Sequence, residues 1–589
     1  MLENTAAIYR LRKNLFFLAF YLALILVVLR LFYWQIIKGQ DLKIAGEMQT
    51  LRQVEQKGLR GQIFTSDAHL LVGNELVYDL KLDRKNFKGD IQTLVQQLSH
   101  IAMQNNWQKD HLEDLSPTDR ETIRKKLVQE ISDKFNSQAN WPKLLSKLSK
   151  SSKEAVEALN NPYLYFDESY QRFYPEASMA AHLVGFLGKN ENAEEIGRYG
   201  IEGALEDELK PRSAKNLFKM DALGFLLAGQ KYESKNLDGR DVTLTIRRDV
   251  QNLAEQNLEW GIEQYQADRG EIIILESQTG KILALATWPK YEPWRYFNYP
   301  SEILKNPSLT RLYEPGSTFK TLTIAAGIDS GVIQKDTVCT KCAGPRQIAG
   351  YSIKTWNDVY HPNITMIDGY AKSDNTAMIF ISDLLGSDRF VDYLKKFGIG
   401  QQIEIDLQDD TRTPFPNKIG PVETATISFG QGISTNSLEL LRAVNVIANR
   451  GKMLEPIIVE KVFDKQKQQE LIGSIKEREQ IISAEAAATV TTMMVEAAQH
   501  GEAQWIASDK YTVAAKTGTS QVPDPQGGYK ENETIASFIG FAPASQAKFT
   551  MLVKLENPKS SPWAAETAAP LWYKVADKLM ILLNITPDK

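Results

Sequence analysis

Ser317 and Lys320 stand three residues apart in YEPGSTFKTLTIAAGIDSG, a stretch that opens on a Pro-Gly break and keeps helical spacing to about Gly331. This spacing predicts the serine in a first helical turn, where free backbone N–H groups and the positive dipole end favour developing negative charge. Lys320 then falls on the same face, one turn above the hydroxyl. A serine hydroxyl is a poor nucleophile until a base takes its proton, and a desolvated lysine with cations nearby can be that base. Such a pair suits acyl transfer through a serine ester. S-x-x-K is weak evidence alone, because Ser545–Lys548 (SQAK) also fits it, in a turn before a strand. S-x-N occurs at Ser373–Asn375 (SDN) and at Ser434–Asn436 (STN). For the second, capping of the following helix SLELLRAVNVIAN is the sounder explanation. K-T-G occurs once, at Lys516–Gly518, within the alternating strand YTVAAKTGTS. A lysine on a strand is ordinarily a solvated side chain. Here Gly518 permits close backbone approach, and Thr517 and Thr519 add hydroxyls beside it.

Separately these patterns are common. In the order S-x-x-K, S-x-N, K-T-G they match the triplet of penicillin-binding proteins and class A β-lactamases. The chain resembles the class B penicillin-binding proteins, monofunctional D,D-transpeptidases of peptidoglycan, well beyond those motifs. LRGQIFTSDAHLL is similar to the membrane-proximal R-G-x-I block, and RFYPEASMAAHLVGFLGK (172–189) and GRYGIEGALEDEL (197–209) to pedestal blocks. TGKILALATWP, YEPGSTFK, SFGQGISTNSLELLRAVNVIANRG and IASFIGFAPA follow the transpeptidase domain in order. KTGTSQVPDPQGGY, followed by IASFIGFAPA, resembles the division type more than the elongation type. Three departures stand out: Ala515 ahead of K-T-G where glycine is usual, Arg247 where an aspartate is common, and Asp67-Ala68-His69 in place of a D-R-x-G turn. None removes a catalytic group.

The resemblance implies an α/β (α+β) fold in four parts. These are a cytoplasmic tail (1–14), a transmembrane anchor (15–37), an elongated extracytoplasmic pedestal (38–239), and a transpeptidase domain (240–589) whose central antiparallel sheet is flanked by helices. It implies that Ser317 attacks the carbonyl between the two terminal D-alanines of a stem peptide, with Lys320 accepting the proton. Ser373 and Lys516 would relay that proton to the leaving amine. Asn375 would hold the substrate's peptide, and Thr517, Gly518 and Thr519 its terminal carboxylate. The backbone N–H groups of Ser317 and Thr519 would form the oxyanion hole. Neither metal nor organic cofactor is implied. The partners implied are stem peptides, β-lactam antibiotics, a membrane glycosyltransferase and other cell-wall synthesis proteins. Two rivals remain open: a hydrolase with the same triplet (β-lactamase or D,D-carboxypeptidase), and a sensor or scaffold that is acylated without cross-linking.

EIIILES and KILALAT flank Gln278-Thr279-Gly280 as a β-hairpin. DVTLTI (241–246) reads as a strand and 249–265 as an amphipathic helix. A mostly helical middle with loops at 335–365 and 401–425 leads to strands at 511–519, 535–541 and 549–555, then a helix at 569–583. Strands at both ends with helices between predict one antiparallel sheet assembled from distant segments. Helical spacing is expected to continue over Leu42–Gln56 and through 91–160, where Lys143 to Lys153 reads as a solvated helix face. Leu15 to Leu29 is an unbroken apolar run that resumes after Arg30 through Ile37, about the length of a bilayer span. Arg10, Arg12 and Lys13 precede it, so the N-terminus is expected in the cytoplasm and residues 38–589 outside. A cleaved signal peptide is the competing reading, against which stand the length of the run and the lack of an A-x-A site after it. Of 589 residues 24% are charged and 43% apolar, and the net charge of −4 leaves no basic excess for nucleic acid. Cys339 and Cys342 in CTKC are expected as a local disulfide, zinc with His361 and Asp358 being the less favoured alternative.

Overall fold

Ile272 to Leu275 are four consecutive apolar residues, whereas a strand buried on one face alternates apolar with polar. The computed structural model, which describes residues 2–104, 116–219, 236–408, 412–416, 418–473, 477–524 and 526–589, explains the run. Strand Arg269–Glu276 lies in a five-stranded antiparallel sheet ordered Ile282–Trp288, Arg269–Glu276, Phe549–Glu556, Tyr529–Ala542, Ala514–Pro523. Both faces are covered. Ile272 and Ile274 pack with Leu258 of helix Arg248–Tyr265 and Trp572 of helix Ala568–Leu582. Ile273 and Leu275 join the opposite core, with Leu322 of helix Lys320–Asp329, Val444 of helix Ser437–Ala448 and Met493 of helix Ala484–His500. The predicted hairpin and the sheet built from distant segments are thus present.

DVTLTI is a strand, Asp241–Leu244, but it belongs to a different sheet. There it pairs antiparallel with Val459–Asp464 and parallel with Ile63–Phe64. Strand propensity identified the element; its partners are distant in sequence, so the sheet it joins was not readable. The same sheet contains Leu70–Leu82, Lys143–Leu148 and Leu164–Phe173. Lys143–Leu148 corrects the helical expectation for the lysine run. Only its second half, Lys150–Glu157, is helix, and the strand half is fixed by pairing with Leu70–Leu82. Lys143 is bonded to Asp79 at 2.5 Å, and Lys153 lies 4.4 Å from the Tyr78 ring centroid. Positions 105–115, within the stretch expected to be helical, and 409–411 and 417, within the expected loop at 401–425, lie outside the described residues.

Contacts divide the chain into Met1–Gly58 with Pro211–Asp238, and Leu59–Lys210 with Gly239–Lys589. In the first unit helix Leu2–Phe32 continues as a wider π turn, Tyr33–Ile37. Among the described residues Ala7–Ile37 is the one helix long and apolar enough to cross a membrane. The Arg30 guanidinium lies 5.3 Å from the Trp34 ring, keeping the charge on an aromatic face. A helix was expected through Gln56, but it ends at Thr50 and Leu51–Lys57 is a strand paired with Ser213–Lys219. Cross-strand pairing overrides a weak local helix preference.

Candidate active site

Gly316–Phe319 forms a single 3-10 turn whose exit is the first residue of helix Lys320–Asp329. Ser317 sits in that turn, half-buried, while every residue from Lys320 to Ile328 is buried. Gly316 adopts φ +56°, and its N–H donates to the Gly430 carbonyl at 3.0 Å, tying the turn to the loop before helix Ser437–Ala448. A side chain at Gly316 would place Cβ 3.3 Å from the Thr519 carbonyl, so the turn lies directly against the K-T-G strand.

Ser373 connects helices Met366–Ala371 and Asn375–Leu385 at φ +55°, a left-handed conformation that turns its hydroxyl toward the nucleophile. Asp374 enforces this corner, capping the second helix by accepting from the Thr376 and Ala377 N–H groups. The Ser373 hydroxyl donates to Ser317 Oγ at 2.8 Å. Lys320 Nζ donates to Ser373 Oγ at 3.2 Å, to the Ser373 carbonyl at 2.6 Å and to Asn375 Oδ1 at 2.7 Å. A hydrogen-bonded line therefore runs from Lys320 through Ser373 to Ser317. Helical spacing put Lys320 itself above Ser317; in the structure the hydrogen-bonded neighbour of the nucleophile is Ser373.

Lys320 is 0% exposed, and burial, reinforced by the positive charge of Lys516, brings its amine down to about 7 against the opposing pull of Glu502 and Asp374. Lys516 is 2% exposed, and burial lowers its pKa as well, again opposed by Glu502. Its amine donates to Thr517 Oγ1 at 3.1 Å, and Thr517 Oγ1 donates to Glu502 Oε2 at 2.7 Å. Thr519 accepts from the Ala564 N–H at 3.1 Å, while Asn375 Nδ2 donates to the Lys354 carbonyl at 3.1 Å. The loops so anchored meet through Trp356 and Trp563, whose rings lie 5.1 Å apart.

Ala514–Pro523 is an edge strand, which brings one rail of its backbone against the nucleophile's turn. Gly518 makes that approach possible: a methyl there would fall 2.7 Å from Thr318 Cγ2, 2.8 Å from Ser537 Oγ and 3.1 Å from the Pro315 carbonyl. Gly518→Ala is expected to push strand and turn apart, slowing acylation about a hundredfold and costing about 1–3 kcal/mol of stability, so that the melting temperature falls by a few degrees while the protein stays folded. Stopped-flow acylation beside thermal unfolding checks this. Ala515, in place of the usual glycine, is fully buried opposite Gly540, whose missing side chain leaves room for its methyl. Arg247 pairs with Asp249 at 2.6 Å, and Asp67 accepts from the Arg248 N–H at 3.1 Å, so both other departures sit at the start of helix Arg248–Tyr265.

The remaining candidates fall outside the site. Asn436 caps helix Ser437–Ala448, accepting from the Glu439 N–H at 2.8 Å, and Ser545–Lys548 lies in the loop ahead of strand Phe549–Glu556. Cys339 and Cys342 form a disulfide, and His361 faces Asp374 at 3.3 Å. Sequence reasoning missed Glu502 and the capping role of Asp374. The second was open to it, since an aspartate ahead of a helix is a capping signal; nothing local marked the first.

The family model for the penicillin binding protein transpeptidase domain matches residues 270–577, and that for the penicillin-binding protein dimerisation domain matches 55–244. Stage V sporulation protein D of Bacillus subtilis is 27% identical over 593 residues, covering 98% of this chain and 87% of its own. Peptidoglycan D,D-transpeptidase FtsI of Escherichia coli K12 is 25% identical over 571 residues, covering 96% and 91%. Penicillin binding protein 3 of Mycobacterium tuberculosis, solved with ampicillin, superposes with a TM-score of 0.68 at 21% identity, covering 91% of this chain and 97% of that one.

Proposed function

This chain belongs to the penicillin-binding protein transpeptidase family, and from that premise we propose that it cross-links peptidoglycan stem peptides through an ester on Ser317, in the division-type class B branch. The observation that carries the reading is the hydrogen-bonded convergence of Lys320, Ser373 and Ser317, with Lys516 nearby on a strand almost two hundred residues further along the chain.

In the first step the Ser317 oxygen bonds to the penultimate D-alanine carbonyl while the C–N bond to the terminal D-alanine breaks. With Lys320 neutral both hydrogen bonds reverse: Ser317 donates to Ser373 and Ser373 to the amine, so the serine proton passes toward Lys320, and a proton returns to the leaving amine as free D-alanine departs. Near neutral pH an amine with a pKa of about 7 is both competent to accept a proton and able to return it. The backbone N–H groups of Ser317 and Thr519 hold the oxyanion, each worth roughly 2.7–4 kcal/mol in other acyl-transfer sites. Asn375 holds the donor peptide, while Thr519, Gly518 and Thr517 line the place of its carboxylate beside the positive Lys516. In the second step an acceptor amine attacks the ester and Ser317 regains its proton. A β-lactam acylates the same serine but retains its leaving group.

The tail 1–14 lies in the cytoplasm, 15–37 spans the bacterial cytoplasmic membrane once, and the pedestal (38–239) and transpeptidase (240–589) domains lie outside. Arg10, Arg12 and Lys13 ahead of the apolar run that starts at Leu15 support this orientation. New glycan comes from a membrane glycosyltransferase engaged through the apolar helix and pedestal, alongside other cell-wall synthesis proteins. Lipid-linked peptidoglycan polymerised by such an enzyme tests the reaction. Cross-linked dimers with equimolar release of D-alanine are expected; release without cross-links would make the protein a hydrolase, and neither product would make it a scaffold.

A further inference from the structure

We infer that Glu502 is a positioning residue of the acyl-transfer site: its carboxylate fixes the Thr517 hydroxyl and, through it, Lys516, and it is the counter-charge that lets two buried lysines share one cleft. The inference rests on the reaction proposed above.

Two ammonium groups in one desolvated site repel each other, and neither has bulk water to screen it. The charged groups facing them come from three separate elements. Lys516 is on the edge strand, Asp374 is at the corner before helix Asn375–Leu385, and Glu502 follows the end of helix Ala484–His500. The Tyr370 ring lies 6.0 Å from the Lys516 amine, and its hydroxyl is bonded to Thr321 at 2.8 Å, so it brings no charge. Asp374 is committed elsewhere: one oxygen accepts from Thr376 and Ala377 and the other faces His361. Among the described residues the Glu502 carboxylate caps no helix. Its side chain reaches in from an exposed position and accepts a hydrogen bond from the Thr517 hydroxyl at 2.7 Å.

A hydroxyl has one proton and two lone pairs. With its O–H donating to Glu502, Thr517 turns a lone pair toward Lys516, which donates to it at 3.1 Å. The orientation of Thr517, and with it the placement of the Lys516 amine, is therefore set from outside the three motifs. The same negative charge favours the protonated form of both lysines, so Glu502 also sets the pH window in which Lys320 is neutral while Lys516 is charged.

The test is the pH profile of the second-order rate of acylation by benzylpenicillin, measured on the full chain in detergent from pH 5 to 10. Glu502→Gln keeps an acceptor for Thr517 and removes the charge. Both limbs are expected to move to lower pH by about half a unit, making the variant about threefold faster on the acid side and slower on the alkaline side. Glu502→Asp, which keeps the charge, is expected to restore the wild-type window. A Glu502→Gln profile that is lowered or unchanged in height but unmoved in position would overturn the inference, as would limbs displaced to higher pH. Should wild-type protein itself fail to be acylated at Ser317, the reaction assignment falls first and this inference with it.

Discussion

Replacing Ser317 by alanine is expected to abolish the penicillin adduct and to reduce cross-linking on the order of a millionfold, the drop seen when a serine nucleophile is removed from other acyl-transfer enzymes. The magnitude follows from the chemistry. With no oxygen at this position there is no ester, and the remaining hydrogen-bond donors can only stabilise direct attack by water or amine. Ser317 is half-buried in a turn whose backbone is fixed by Gly316, so losing its hydroxyl removes one hydrogen bond with Ser373 and little packing. Unaltered thermal unfolding beside lost activity is therefore the expected pair of results. Intact-mass spectrometry after incubation with penicillin, with quantified cross-linked dimers, measures both.

The second large effect concerns Lys320. Catalysis needs its neutral amine, and burial together with Lys516 brings the pKa down to about 7. Below that value the amine is protonated, so the acylation rate is expected to fall about tenfold per pH unit; above it the rate reaches a plateau that ends on the alkaline side, where Lys516 loses its charge. Lys320→Met, which keeps the length of the side chain and removes the base, should lower the plateau by roughly 10²–10⁴-fold and abolish the acid limb. Stability also rises with pH, but over a different window. The folded-state pKa lies below the ordinary value of 10.5, so the unfolded chain binds more protons between those two values. The wild type thus gains stability from this group as pH rises from about 7 toward 10.5, and Lys320→Met should lack that gain. Acylation kinetics and denaturant unfolding across pH separate the two effects.

Much of this site was legible in the sequence because each part is carried by a short contiguous motif. Ser317 and Lys320 share one turn and its helix; Ser373 and Asn375 flank an aspartate that caps its own helix; Lys516, Gly518 and Thr519 lie along one strand. The sheet was legible for a similar reason, since EIIILE and its partners carry apolar runs that only a doubly covered sheet explains. What escaped was whatever a partner decides. Leu51–Lys57, Lys143–Leu148 and Val459–Asp464 are strands because of the distant segments beside them, and their own residues carry helical or mixed patterns. Glu502 escaped because a glutamate after a helix is ordinarily solvated, and its importance exists only once Thr517 is folded against it. The direct line from Ser373 to Ser317 escaped because helical spacing relates Lys320 to Ser317 and says nothing of a loop arriving from elsewhere.

That Ser317 is the acylated atom, activated by groups gathered from three distant segments, is tested most directly by peptide mapping of the wild-type protein after brief exposure to benzylpenicillin. One penicilloyl group per chain, on the fragment containing YEPGSTFK and localised to Ser317, is the predicted result. A label on another serine, or one that survives in Ser317→Ala, would contradict it.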